Sequence, residues 1–241
     1  MAPTPSLPRA VAAEFIGTLL FQLLGGSATD PPFNGVILAV VIYMTAATSG
    51  GVVNPAVATC LLAVGELSLG RFVAYVAAEL SGAVVGALIA AGADPTAPWL
   101  SAWSLDGIGP GCVPMHIDSD LYFPVFVWEL VGTFVLCMTV LATAVAKPGH
   151  GDMAPLAIGL AISINVGTSG SITGGCYNPA RFFGPALVYG CRLHLIWLYF
   201  FAEILGGLAA AAWHKSVASQ RAATDTVTLS SRDGATEMAG V

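Results

Sequence analysis

Charge is scarce in this sequence. Only 9% of its 241 residues are Asp, Glu, Lys or Arg, whereas 56% are hydrophobic; soluble domains carry about 25% charged residues. The eight Lys and Arg are dispersed, so there is no basic face for nucleic acid, and the net charge of −6 identifies no partner by itself. There is no cluster with metal-ligand spacing, no Ser/His/Asp grouping in a plausible membrane register and no phosphate-binding loop. These absences argue against an enzyme, a metal centre or a cofactor. The five cysteines (Cys60, Cys112, Cys137, Cys176 and Cys191) are widely spaced, form no Cys-x-x-Cys pair, and are expected to be unpaired. The first apolar run contains Glu14 and lacks a convincing cleavage site, so it is not a removable leader.

Apolar sequence is abundant, and it comes in lengths suited to a bilayer. Runs at residues 10–25, 33–49, 69–92, 124–146, 153–167 and 195–214 approach the ~20 residues needed to cross ~30 Å of hydrocarbon. The expectation is an all-α integral membrane protein whose solvent is the lipid bilayer. Residues 1–9 form a short lead, 93–123 a linking loop rich in Pro, Gly, Ser and Asp, and 215–241 a polar tail expected to be disordered. Two further apolar stretches, at 57–64 and ending near 188, are too short: a helix of eight to ten residues is only ~15 Å long.

Both short stretches begin in the same way. Ser49-Gly50-Gly51-Val52-Val53-Asn54-Pro55-Ala56 in the first half answers Thr173-Gly174-Gly175-Cys176-Tyr177-Asn178-Pro179-Ala180-Arg181 in the second. Asn is a favoured helix N-cap and Pro a favoured first helical residue, so each Asn-Pro-Ala opens a short helix. The offset of 124 residues recurs in Tyr75-x-x-Ala78-Glu79-x-x-Gly82 and Tyr199-x-x-Ala202-Glu203-x-x-Gly206. Glu14-Phe15-Ile16-Gly17-Thr18 is likewise echoed by Glu129-Leu130-Val131-Gly132-Thr133. The chain is therefore a duplication, with one repeat at about 10–92 and the other at about 124–214. Each repeat has three spans, an odd number, so the second copy is inverted in the membrane.

Inversion brings the two short helices in from opposite faces, N-terminus to N-terminus. Each N-terminus carries roughly half a positive unit charge, so a cation is repelled where they meet and a neutral hydrogen-bonding molecule is not. Irregular backbone at membrane depth is tolerated where it is buried in protein or lines a water-filled cavity, and the Gly-rich approaches supply such backbone. The amides of Asn54 and Asn178 can donate to a passing oxygen. The arrangement describes a pore for small neutral solutes. Arg71, Lys147, Lys215, Arg221 and Arg232 share one side of a six-span topology, opposite Asp30, Asp94, Asp106, Asp118 and Asp120, with Arg192 the basic loop residue there. The positive-inside rule then places both termini in the cytosol.

With the two motifs in place, residues 8–214 resemble the aquaporin, or major intrinsic protein, family; Arg181 after the second Asn-Pro-Ala and Gly184-Pro185 beyond it add specificity. The resemblance implies an inverted repeat of six transmembrane helices plus two re-entrant half-helices, assembled as a homotetramer with one pore per subunit. It implies that Asn54, Pro55, Ala56, Asn178, Pro179 and Ala180 form the paired pore motifs, and that Glu14 and Glu129 support the pore-loop backbones. It also implies a second constriction of Asn34, Val166, Gly175 and Arg181. The usual water-selective set is a Phe, a His, a small residue and the Arg, so this constriction is expected to be wider.

Phe182, Ala186 and Tyr199-Phe200 depart from glycerol-conducting relatives. The wording around the first motif is most similar to tonoplast-type intrinsic proteins, some of which pass urea, ammonia or hydrogen peroxide. A glycerol-type facilitator remains an alternative, as does a proton-coupled secondary transporter, because acids at membrane depth mark function by default. A vacuolar-type membrane and the plasma membrane are not distinguished. Glu79 and Glu203 are expected to take structural hydrogen-bonding roles. Cys176 is either a small loop residue or a site where mercurials block flow.

Overall fold

Hydrocarbon offers no hydrogen bonds, so an apolar chain crossing it must satisfy its own N–H and C=O groups, which a helix does. The computed structural model describes residues 5–28, 30–93, 108–114 and 116–238, with backbone only for 31, 32 and 218–238. Its helices are α1 (Leu7–Gly26), α2 (Pro31–Ser49), α3 (Pro55–Val64), α4 (Leu69–Ala93), α5 (Tyr122–Val140), α6 (Ala154–Thr173), α7 (Pro179–Tyr189) and α8 (Ile196–Met238). Five segments are long and apolar enough to cross a membrane: Leu7–Gly26, Leu69–Ala93, Ser119–Val145, Gly151–Thr173 and Leu193–Val217. The sixth is α2, 19 residues long, within the ~17–25 that suffice. Helices α3 and α7, with 10 and 11 residues, reach only about 15–17 Å. The fold is thus six spans and two half-length helices.

Contacts between helices come in matched pairs. α1 packs on α4 as α5 packs on α8, and α4 lies against α7 as α8 lies against α3. α2 and α6 pack on each other, as do α3 and α7. This is the pattern of a two-fold axis passing between α2 and α6. The axis is visible at Gly35 and Gly159: a Cβ on Gly35 would sit 2.1 Å from the Gly159 carbonyl, and one on Gly159 would sit 2.3 Å from the Gly35 carbonyl. Only hydrogen fits there, and the two backbones meet directly.

Two expectations need revision. The fifth span does not end at 167 but runs to Thr173. Its polar end is tolerated at that depth because the hydroxyls of Thr168, Ser169 and Thr173 find acceptors within the helix, the carbonyls of Ile164, Asn165 and Ser169. Beyond residue 214 the backbone continues α8 to Met238, and no proline interrupts it. The cysteines are not all free, as described below. Asp94 and Asp106 of the linking loop lie outside the described residues.

Candidate functional site

α2 and α6 both stop at a glycine in the left-handed region, Gly50 (φ 101°) and Gly174 (φ 88°), a conformation nearly free of cost only without a Cβ. The chain then doubles back through Gly51 and Gly175, at φ 65° and 64°. Two residues later come Val53 (φ 44°) and Tyr177 (φ 48°). Such a conformation is a marked outlier for a β-branched residue, and it costs about 1–3 kcal/mol at each position.

Buried acids hold these turns. Glu14 accepts from Val52 N at 3.0 Å and from Val53 N at 2.6 Å. Glu129 accepts from Cys176 N at 3.1 Å and from Tyr177 N at 2.7 Å. The strained residue in each half is therefore the one gripped most closely. Glu203 adds a bond from Asn178 N at 3.0 Å, whereas its repeat mate Glu79 lies against the Asn54 backbone and the Glu14 carboxyl without a bond of ordinary geometry to either. The hydroxyls of Tyr75 and Tyr199 donate to the terminal carbonyls Ser49 O and Thr173 O, at 2.9 and 2.5 Å. Chain order gives no hint of these tyrosine bonds, but their positions one repeat apart were a usable signal.

Asn54 caps α3 through Oδ1, which accepts from Ala56 N at 2.9 Å and Val57 N at 3.4 Å. Asn178 caps α7 in the same way, from Ala180 N at 3.0 Å and Arg181 N at 3.4 Å. Pro55 and Pro179, at the first helical positions, have no N–H to satisfy. The amide nitrogens cross over: Asn54 Nδ2 donates to Tyr177 O and Asn178 Nδ2 to Val53 O, each at 2.9 Å. Each amide NH₂ has two hydrogens, so these bonds fix the amide plane and leave one donor per asparagine for a visiting oxygen. The crossing also holds the positive ends of α3 and α7 face to face.

A cavity of about 690 Å³ extends from the loop bearing Lys147 and Asp152 to Asn54 and Asn178, with Gly50, Gly51 and Val52 in its wall. Arg181, in the first turn of α7, is 8% exposed, and its Nη1 donates to Gly111 O at 3.2 Å. Val166 and Gly175 are brought together: a Cβ on Gly175 would lie 2.9 Å from Val166 Cγ2. Asn34 is buried on α2 facing α1, where a Cβ on Gly25 would lie 3.2 Å from its Oδ1. That oxygen has no hydrogen-bond partner among the described residues.

Cys112 and Cys191 form a disulfide across 79 residues of sequence, against the expectation of five free thiols. Linear spacing hid the pair because the intervening spans return the chain to the same end of the molecule. Cys60, Cys137 and Cys176 are free and buried. Cys176 packs with Phe182, Leu198 and Tyr199, as a small loop residue does.

The profile of the family described as Major intrinsic protein matches residues 32–214. The chain is 34% identical over 220 residues to Probable aquaporin TIP2-2 of Oryza sativa subsp. japonica, covering 83% of each chain. It is 32% identical over 238 residues to Probable aquaporin PIP2-8 of Arabidopsis thaliana, covering 88% of this chain and 82% of that one. Among solved structures, the aquaglyceroporin from Plasmodium falciparum superposes with a TM-score of 0.70 at 22% identity, over 87% of this chain and 96% of that chain. At that identity the likeness concerns the fold alone.

Proposed function

The chain belongs to the major intrinsic protein family, an integral membrane channel and not an enzyme, and from that premise we propose that it passes water and small neutral solutes such as urea, ammonia and hydrogen peroxide. Flow is passive and bidirectional, and ions and protons are excluded. The observation that carries this reading is the crossed pair of asparagines. Their bonds to Tyr177 O and Val53 O turn one donor of each amide toward a solute oxygen between two helix N-termini. A water or urea oxygen accepts there, while a cation meets positive potential.

Selectivity is assigned to Arg181 with Val166, Gly175 and Asn34. Val166 supplies no hydrogen-bond donor and Gly175 no side chain, so the aperture exceeds that of a pore for water alone. Against the glycerol alternative, Phe182 stacks on Tyr199 with ring centroids 4.4 Å apart; both residues occupy positions where glycerol-conducting relatives differ. Four copies associate through lipid-depth faces, each with its own pore. The termini face the cytosol, and the disulfide at the opposite end suits an oxidising compartment.

Stopped-flow light scattering on proteoliposomes tests the reading. Water, urea and hydrogen peroxide are expected to permeate with low activation energy, and glycerol far more slowly. Saturable uptake that depends on a proton gradient would instead identify a secondary transporter.

A further inference from the structure

The carbonyl that holds Arg181 belongs to the peptide unit joining Gly111 to Cys112, and this unit is anchored by more than the arginine. Cys112 N donates to Gly109 O at 3.0 Å, closing a tight turn, and the Cys112 sulfur is bonded to Cys191. Cys191 follows Gly190, the residue that ends α7, and Arg181 sits in the first turn of α7. The contacts form a closed ring: Arg181, along α7 to Cys191, across the disulfide to Cys112, and back through Gly111 O to the guanidinium.

The loop has little freedom inside that ring. A Cβ on Gly111 would lie 2.7 Å from Gln22 Nε2 and 3.0 Å from Pro185 Cγ. One on Gly109 would lie 2.6 Å from the Tyr189 ring, whose hydroxyl donates to Ala87 O at 3.2 Å. Cys191 is 1% exposed, but Cys112 is only half-buried, so a small reductant reaches the bond from its side.

We infer that the Cys112–Cys191 disulfide is a positioning element for selectivity: it fixes the Gly111 carbonyl, which in turn fixes Arg181 at the constriction. A phosphine or dithiol reductant breaks the S–S bond. The two sulfurs gain two electrons and two protons, and the reductant is oxidised by two electrons. The loop then keeps its packing on Tyr189 but loses its covalent tie to α7. The Gly111 carbonyl is no longer held in register, and the guanidinium shifts away from the position that narrows the passage.

The inference rests on the channel reading, and the experiment separates the two. The full chain is purified without reductant, and one portion is reduced with the phosphine TCEP before reconstitution, with thiol labelling confirming two additional free cysteines. Water and urea permeabilities per channel are then measured by stopped-flow light scattering for the oxidised chain, the reduced chain and the Cys112→Ser/Cys191→Ser variant. Reduction is expected to raise the urea-to-water ratio about fivefold, the worth of one net hydrogen bond, at unchanged water permeability. The double variant should show the raised ratio with and without TCEP. An identical ratio in all three preparations overturns the inference. So does a parallel loss of water and urea flow on reduction, which would mark the disulfide as a staple of the fold only. If the oxidised chain passes neither solute, the channel reading itself fails.

Discussion

The four intramembrane glutamates provide a graded test, because they accept two, two, one and no hydrogen bonds from the two re-entrant turns. Glu14 and Glu129 each take two backbone N–H bonds, Glu203 takes one, and Glu79 takes none of ordinary geometry, lying loosely against the Asn54 backbone and Glu14. Replacement by glutamine preserves shape but leaves a single acceptor oxygen. At Glu129 one of the two bonds is lost and an NH₂ group is pressed against the N–H of Cys176 or Tyr177. A buried donor left without its acceptor forfeits about 1–3 kcal/mol of desolvation, and the apposed NH₂ group places these sites in the upper part of that range. Glu129→Gln and Glu14→Gln are therefore expected to destabilise by about 1.5–3 kcal/mol, more if the strained turn relaxes.

For a chain of 241 residues that corresponds to a fall of roughly 3–12 °C in melting temperature. Glu203→Gln keeps its one bond and should cost less than about 1 kcal/mol. Glu79→Gln replaces a carboxyl that meets the Asn54 backbone and the Glu14 carboxyl only loosely, and should cost least of the four. Thermal unfolding of the purified variants in one detergent, at one scan rate, measures the series. Four equal shifts, or a Glu79 variant as damaged as the Glu129 variant, would refute the idea that backbone grip accounts for these acids.

Asn54→Asp keeps the capping oxygen but replaces a donor with a negative charge facing the Tyr177 carbonyl; planar-bilayer recording should then show cation conductance absent from the unmodified channel. Gly175→Phe should reduce urea permeation more than water permeation in stopped-flow traces, and equal loss of both would remove Gly175 from the constriction. Any side chain at Gly175 also bears a left-handed penalty of about 1–2 kcal/mol, so the Val166→Phe variant narrows the same point from the partner side and should act alike. Within α4, Gly82→Ala drives a Cβ to 2.4 Å from Phe15 O, whereas Gly92→Ala meets nothing within 4 Å. The first should destabilise by about 1–3 kcal/mol and the second stabilise by up to about 1 kcal/mol, as read by thermal unfolding.

The spans and the doubled architecture were legible because each depends on a pattern that survives in one dimension. Apolar length marks a crossing, and the 124-residue offset marks the repeat. The same offset pairs Val53 with Tyr177, which share a strained φ, and Tyr75 with Tyr199, each of which donates to the carbonyl at the end of a span in its own half. What stayed hidden lies where loops meet. Gly111 reaches Arg181, and Cys112 reaches Cys191, only once the spans have folded the loops onto one end. Hydropathy also cut α6 short at residue 167, because it counts Thr168, Ser169 and Thr173 as polar and cannot register that their hydroxyls bond back into their own helix. The same motif can also conceal a difference of degree: Glu203 accepts from Asn178 N at 3.0 Å, whereas Glu79 meets the Asn54 backbone only loosely.

The crossed asparagines also impose an order on synthesis. Asn54 and the carbonyl that receives its amide are separated by 123 residues, so at ~5–20 residues per second the ribosome produces the second partner roughly 6–25 s after the first. Until then the amide of Asn54 lacks the carbonyl that receives it. Neither repeat can finish its own centre, since each lends the other a carbonyl. In that respect the two repeats complete each other as the members of a tethered head-to-head dimer would.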